Sequence, residues 1–182
     1  MAIYLNTDTA LENYKKLIKS KYFVDKSLII GKLNNLLGTS ECYVCITKPR
    51  RFGKSSIINM LGAYYTKGYN SKDIFDKLNI SKEKSYLENL NKYNVINISF
   101  SDIPSDGLTY SNYISNIEEQ IKKDILEIFK DKKIEQNQEL YKIFLETKEE
   151  FVFIIDEWDY IFSHDLFKEN QQDFLEFLRN LL

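Results

Sequence analysis

Apolar residues recur at intervals of three and four along most of this chain, and short continuous apolar runs interrupt that rhythm. Helical spacing places alternate turns on one face, whereas a short apolar run bounded by polar residues suits a strand. Residues 8–19 carry Leu11, Tyr14 and Leu17 on one such face, which predicts a helix. Residues 22–26 read as a short extended piece and 27–37 as a second helix, with Gly38 where a helix stop belongs. Residues 41–47 form the first strong strand pattern. A helix is expected over 54–65, with Ile57, Leu61 and Tyr65 four apart. Residues 73–90 are polar and suit short helices, and 94–100 read as a second strand. The longest amphipathic run, 111–130, carries Tyr113, Ile114, Ile117, Ile121, Ile125 and Ile128 on one face. Its Glu118 and Lys122 stand in the favourable four-residue order. Further helices fit 136–147 and 173–182. Between them, 151–155 is uninterrupted and apolar, as a strand buried on both faces would be. Strands alternating with long helices predict an α/β fold with a mainly parallel sheet covered on both sides.

Composition narrows the class. The chain has 182 residues, 43% hydrophobic and 29% charged, an ordinary globular mixture. A chain of this length buries roughly 70% of its unfolded surface, enough for a real core. The length suits a single domain over 1–182, with 1–40 as a helical and extended lead-in and 41–182 as the core. The 13 Tyr and 12 Phe residues read as core packing rather than a base-stacking surface. Net charge is −2, so no global basic field exists to hold a nucleic acid, although Lys48, Arg50, Arg51 and Lys54 are dense locally. That local cluster suits a small phosphate ligand. No apolar run is long enough to span a membrane, and the N-terminus lacks a signal-peptide layout, so the cytoplasm is the expected compartment. Cys42 and Cys45 fall in the strand pattern with a spacing that sends them to opposite faces. With His164 the sole histidine, core packing is expected rather than redox or zinc chemistry.

The charge cluster belongs to a motif, Lys48-Pro49-Arg50-Arg51-Phe52-Gly53-Lys54-Ser55. Its last three residues match the end of the phosphate-binding G-x-x-x-x-G-K-[ST] loop, with Lys48 in place of the first glycine. An apolar strand pattern precedes it and a helix pattern follows, as the motif requires. Backbone N–H groups at a helix start, together with the helix dipole, favour phosphate there. Gly53 lets the backbone approach phosphate oxygens, Lys54 supplies a point charge to them, and Ser55 can offer its hydroxyl to magnesium. Residues Arg50, Arg51, Phe52, Gly53, Lys54, Ser55 and Ser56 are the expected nucleotide-binding set.

A second motif closes the strand pattern at 151–155 with Asp156-Glu157. Adjacent carboxylates at the end of an apolar strand call for positive charge opposite them, and ligands of parallel α/β sheets sit beyond those strand ends. Asp156 can hold a magnesium shell, and Glu157 can orient or deprotonate a water.

Three segments together resemble the AAA-ATPase-like family of P-loop proteins: Tyr22-Phe23-Val24-Asp25-Lys26-Ser27, Thr47-Lys48-Pro49-Arg50-Arg51-Phe52-Gly53-Lys54-Ser55 and Ile155-Asp156-Glu157-Trp158-Asp159. They are similar to that family's Y-x-V-D-K, R-P-R-R-F-G-K-[ST] and I-D-E-Y-D signatures, with Lys48 where arginine is usual and Trp158 where tyrosine is usual. The resemblance covers almost the whole chain and implies a three-layer ASCE-type P-loop fold. It implies ATP and Mg2+ as ligands, Gly53, Lys54 and Ser55 on the nucleotide, Ser55 and Asp156 on the metal, and Lys54 and Glu157 as catalytic residues. Family members often continue into a nuclease-like domain, so such a domain downstream, or a second copy of the chain, are the partners it suggests.

Other roles stay open. Arg50 and Arg51 could clamp phosphates or reach a neighbouring subunit, or pair with Asp25 or Asp159 to hold the loop. Asp159 either supports the site or makes a turn; Trp158 packs or stacks on a partner; His164 reads as an exposed loop residue. Two functions follow: Mg-dependent ATP hydrolysis driving a conformational switch, or a nucleotide-binding or interaction module with negligible hydrolysis. The ASCE order implied by the resemblance puts a further strand between the phosphate-loop strand and the acidic strand. No candidate for it follows 151–155, and the last helix pattern ends on Leu181-Leu182 without a stop signal. An incomplete P-loop domain is therefore expected, marginally stable and a poor ATPase.

Overall fold

The computed structural model describes residues 2–47, 49, 52–102, 109–163 and 165–182, and it divides into two compact units: residues 6–95, and residues 1–5 with 96–182. Lys48, Arg50, Arg51 and His164, singled out above, lie outside the described residues.

The unit of residues 6–95 contains α1 (Thr9–Ile18), α2 (Leu28–Asn34), α3 (Lys54–Tyr65), α4 (Lys72–Phe75) and α5 (Tyr86–Asn89), with a 3-10 turn at Asn79–Lys82. α1 buries Ala10, Leu11 and Tyr14 and packs along α3, which buries Ile57, Met60, Leu61, Tyr64 and Tyr65. Aromatic rings fill the space between helices. Tyr14 stacks on Phe75 with centroids 5.5 Å apart, and Tyr64 meets Phe75 edge-on at 5.2 Å. Offset and edge-on pairs of this kind stabilise beyond the area they bury. Several hydroxyls carried into this core find partners. Tyr64 Oη donates to the Tyr86 carbonyl at 2.6 Å, Tyr65 Oη to Asn34 Oδ1 at 2.8 Å, and Asn34 Nδ2 to Ser85 Oγ at 3.0 Å. The two ends of this unit are clipped together. Asn6 N donates to the Val95 carbonyl and Val95 N to Asn6 Oδ1, both at 2.8 Å.

β1 (Asn94–Ser99) leads into the second unit, which contains α6 (Tyr110–Ile128), α7 (Leu140–Thr147), β2 (Phe151–Asp156), α8 (Tyr160–Ser163), a 3-10 turn at Asp165–Asn170 and α9 (Gln171–Leu181). β1 and β2 are neighbours in a small parallel sheet. On β1, Leu5 forms an antiparallel bridge with Ile96, and Asn97 N donates to the Tyr4 carbonyl at 3.0 Å. α6 turns Tyr113, Ile114, Ile117, Ile121 and Ile125 inward, the face that its spacing predicts. They join Ile96, Ile98, Phe100, Phe167, Phe174 and Phe177 in one core cluster. Asp124 of α6 is fully buried, and its Oδ2 accepts from the backbone of Ile3, Tyr4 and Leu5 at 2.9, 2.6 and 3.1 Å. Gln120 Nε2 donates to its other oxygen at 2.7 Å.

Most expected helices are present, α7 starting four residues later than expected. Three expectations on the strands are corrected. Residues 41–47 enter no ladder among the described residues, and all but Ile46 are exposed. An apolar extended run becomes a strand only where a neighbouring strand pairs with it, and no ladder among the described residues includes this one. Cys42 and Cys45, expected in the core, are exposed free thiols for the same reason. On β2 only Ile154 is fully buried, because the two-stranded sheet gives it one strand neighbour among the described residues. The observed α/β architecture is thus smaller than the three-layer sheet expected. The abundant aromatics do serve as core: Tyr14, Tyr64, Phe75, Phe100, Phe167 and Phe174 are fully buried. No helix among the described residues is long and apolar enough to cross a membrane.

Candidate functional site

The sequence-predicted residues fall on both units, and each set has its own local geometry. In residues 6–95 the key position is Gly53. It caps the N-terminus of α3 at φ 83° and ψ 32°, a left-handed conformation that a side chain disfavours. Its carbonyl accepts from Ile57 N at 3.2 Å, so the helix ladder begins at once. Lys54, Ser55 and Ser56 therefore occupy the first turn, where backbone N–H groups have no partner within the helix and the dipole favours an anion. Ser55 is exposed, and Lys54 and Ser56 are half-buried. Upstream, Phe52 N donates to the Pro49 carbonyl at 3.3 Å, which tightens the turn into Gly53, and the Phe52 ring is exposed.

A residue outside the loop holds it. Lys26 Nζ donates to the Phe52 carbonyl at 3.4 Å, and a Cβ built on Gly53 would lie 2.9 Å from that amine. Lys26 is itself placed by its neighbour. The Asp25 carboxylate accepts from Ser27 N at 2.8 Å and from both Asn79 N and Asn79 Nδ2 at 2.7 Å. Burial works to raise the Asp25 carboxyl, but the Asn79 and Ser27 hydrogen bonds outweigh it and hold the group below the usual carboxylate range. Asp25 is thus engaged by Asn79 and Ser27; the alternative pairing with Arg50 or Arg51 involves residues outside those described.

In the other unit, β2 delivers Asp156 to its C-terminal end. The Asp156 carbonyl accepts from Phe100 N at 3.2 Å, so the chain just past β1 ends beside it. There Ser99 Oγ and Ser101 Oγ lie 2.9 Å apart. Asp156 Oδ1 accepts from Glu157 N at 2.9 Å. Glu157 then takes φ 49°, unusual for a residue with a side chain, and its carbonyl accepts from Tyr160 N at 2.9 Å. The chain turns sharply out of the strand there, leaving the Glu157 side chain exposed. The Asp159 carbonyl accepts from Phe162 N at 3.1 Å within the same turn, and the half-exposed Trp158 ring meets Phe162 edge-on at 5.8 Å.

A left-handed glycine before Lys-Ser at a helix start, and a carboxylate pair closing an apolar strand, are accompanied by a match over nearly the full length. The family model described as predicted AAA-ATPase matches residues 8–182. The chain belongs to this family. No curated protein and no solved structure matches it. Among the described residues no group of three or more His, Cys, Asp or Glu side chains gathers into a metal cage. Magnesium is commonly held by one or two protein ligands plus phosphate oxygens and water; a hydroxyl such as that of Ser55, or a carboxylate such as that of Asp156, is a donor of the kind it takes.

Two features escaped the sequence reading. Lys26 stood inside a recognisable segment, Val24-Asp25-Lys26, but nothing local shows that its amine reaches Phe52, 26 residues away. Ser99 and Ser101 carry one weak signal, hydroxyls that end an otherwise apolar strand pattern.

Proposed function

We propose that this chain binds ATP with Mg2+ and hydrolyses it to drive a conformational switch. The observation that carries the reading is the left-handed Gly53 cap feeding Lys54 and Ser55 into the first turn of α3, in a member of an AAA-ATPase-like family. Lys54 and the amides of that turn hold the phosphates. Ser55 and Asp156 are the residues that would hold the metal, whose charge would offset that of the phosphoryl group being transferred. Glu157 orients the attacking water and accepts its proton. Lys26 donates to the Phe52 carbonyl and steadies the chain just before Gly53. Arg50 and Arg51 complete the phosphate-binding set.

Calorimetry with Mg·ATP tests the assignment. Lys54→Ala loses nucleotide binding, and Asp156→Asn loses the magnesium-dependent part of it. Glu157→Gln keeps binding but slows phosphate release by roughly 10²–10⁴-fold, the effect of removing a general base. Parent-like binding by Lys54→Ala removes the phosphate-loop role. One observation favours the second reading, a binding module with negligible hydrolysis: residues 41–47 lead toward the loop without entering a ladder among the described residues, and an approach outside a sheet preorganises the loop less than a strand would. Equal phosphate release by parent and Glu157→Gln, with ATP binding intact, selects that reading.

A further inference from the structure

A sheet has two faces, and β1 and β2 furnish theirs differently. Successive side chains of a strand point to opposite faces. Ile96 and Ile98 of β1, and Phe100 just past its end, lie in the core cluster with residues of α6 and α9. Phe151, Phe153 and Ile155 of β2 pack against that same cluster. Asn97 and Ser99 of β1 therefore share the other face with Val152, Ile154 and Asp156 of β2.

The register decides which of them are neighbours. Phe100 N donates to the Asp156 carbonyl at 3.2 Å, and in a parallel ladder that bond makes Ser99 the residue beside Asp156. Residues so paired have Cα atoms about 4.8 Å apart and side chains on one face. Phe100 is pinned in this register. Its ring is fully buried and meets Phe174 edge-on at 4.9 Å, and its carbonyl accepts from Tyr113 Oη at 3.1 Å. Ser101 follows the buried ring and returns to the Ser99 side, where the two Oγ atoms lie 2.9 Å apart. Two hydroxyls that bond each other use one proton between them, and the second proton stays available to a further acceptor. Both serines are half-buried, so water can reach that proton. They stand at the C-terminal edge of the sheet, where ligands of parallel sheets sit.

We propose that Ser99, with its hydroxyl fixed by Ser101, is a positioning residue that holds a water of the Mg2+ shell against the Asp156 carboxylate. The inference rests on the reading of Asp156 as a magnesium ligand and adds the residues that aim it. Magnesium keeps several of its waters when protein-bound, and one water spans two polar groups set this far apart on a common face. Hydrogen bonds around a ligating carboxylate fix its orientation and so tune the metal affinity. Ser101 acts only through Ser99: it takes up one hydrogen bond of the pair and leaves the Ser99 hydroxyl a single direction in which to donate.

The test measures ATP binding to the full chain by calorimetry, from EDTA to saturating Mg2+. The parent binds ATP more tightly as Mg2+ rises. Ser99→Ala keeps the metal-free ATP affinity, while its half-saturating Mg2+ concentration rises about three- to tenfold, the worth of one hydrogen bond. Ser99→Thr keeps the hydroxyl, suits a strand and restores the parent value. Ser101→Ala shifts the value in the same direction. The double alanine variant shifts it no further than Ser99→Ala, since the two residues act in series. A serine pair that merely closes the strand end gives a different result: Ser99→Ala melts lower but titrates with Mg2+ like the parent, which overturns the proposal. So does a Ser99→Thr that shifts the Mg2+ dependence as far as Ser99→Ala. Asp156→Asn separates the two levels. Loss of the Mg2+ dependence in that variant, with a parent-like Ser99→Ala, sinks the serines alone. A parent-like Mg2+ dependence in Asp156→Asn sinks the metal assignment and this proposal with it.

Discussion

Gly53 concentrates several demands in one residue. Its left-handed backbone starts α3, and the space a Cβ would fill is taken by the Lys26 amine. Alanine there costs roughly 1–2 kcal/mol for the backbone alone. The amine is the far end of a flexible side chain and can move, at the expense of its bond to Phe52. Gly53→Ala should therefore lower the thermal midpoint modestly and weaken nucleotide binding more than the lost stability explains; melting curves and calorimetry on one preparation check both. Asp25 makes a different demand. Its carboxyl is held below the usual range in the folded chain, so folding favours the ionised form. The stability this contributes is complete above the unfolded value, about 3.9, and is lost as pH falls through the lower folded value. Asp25→Asn should leave acid unfolding less steep below about pH 4, while also lowering stability at neutral pH. Parent and variant curves of equal steepness would remove Asp25 from the acid transition. Gly53 was legible because Gly-Lys-Ser is a local string. The stacking of Tyr14 on Phe75 was not, because the two rings stand 61 residues apart, outside any local pattern.

Helices were the readable elements, since their periodicity is a property of the segment itself. α6 shows this: Ile114, Ile117, Ile121 and Ile125 turn inward as its spacing selects, although Ile128, at the last turn of the same face, is exposed. Strands depend on a neighbour. Residues 94–99 found Leu5 on one side and β2 on the other, while 41–47 carried an equally apolar pattern and joined no ladder among the described residues. The site inherits that division. The start of α3 at Gly53–Lys54 was legible, and residues 41–47, which lead toward it, were misread as a strand. The N-terminal segment shows the same dependence from the other side. Nothing in residues 3–5 announces a strand-like partner for β1, because its anchor, Asp124, stands about 120 residues away. Three backbone N–H groups converge on a single buried oxygen there. Removing it leaves them unsatisfied, at a cost of roughly 3 kcal/mol or more. Asp124→Ala should lower the denaturation midpoint and speed hydrogen exchange in the N-terminal peptide well beyond its effect on α7. Uniform exchange across both segments would show that the clamp does not act locally.

At the scale of the whole molecule, the proposed phosphate loop and Lys26 both belong to residues 6–95. That stretch is contiguous in sequence, and its first and last residues are clipped by two 2.8 Å hydrogen bonds between Asn6 and Val95. A chain whose ends already meet can be closed into a ring without distorting what lies between. Backbone cyclisation of residues 6–95 through a short linker should therefore yield a folded miniature that still binds Mg·tripolyphosphate. Closing a loop of this length removes unfolded-state entropy worth on the order of 4 kcal/mol, so the ring should melt well above its linear counterpart. A ring that melts no higher than the linear segment would mean that the Asn6–Val95 clasp is not formed in the isolated stretch. If it does melt higher, this stretch becomes a portable phosphate-binding module, open to relocation of its termini to any exposed turn.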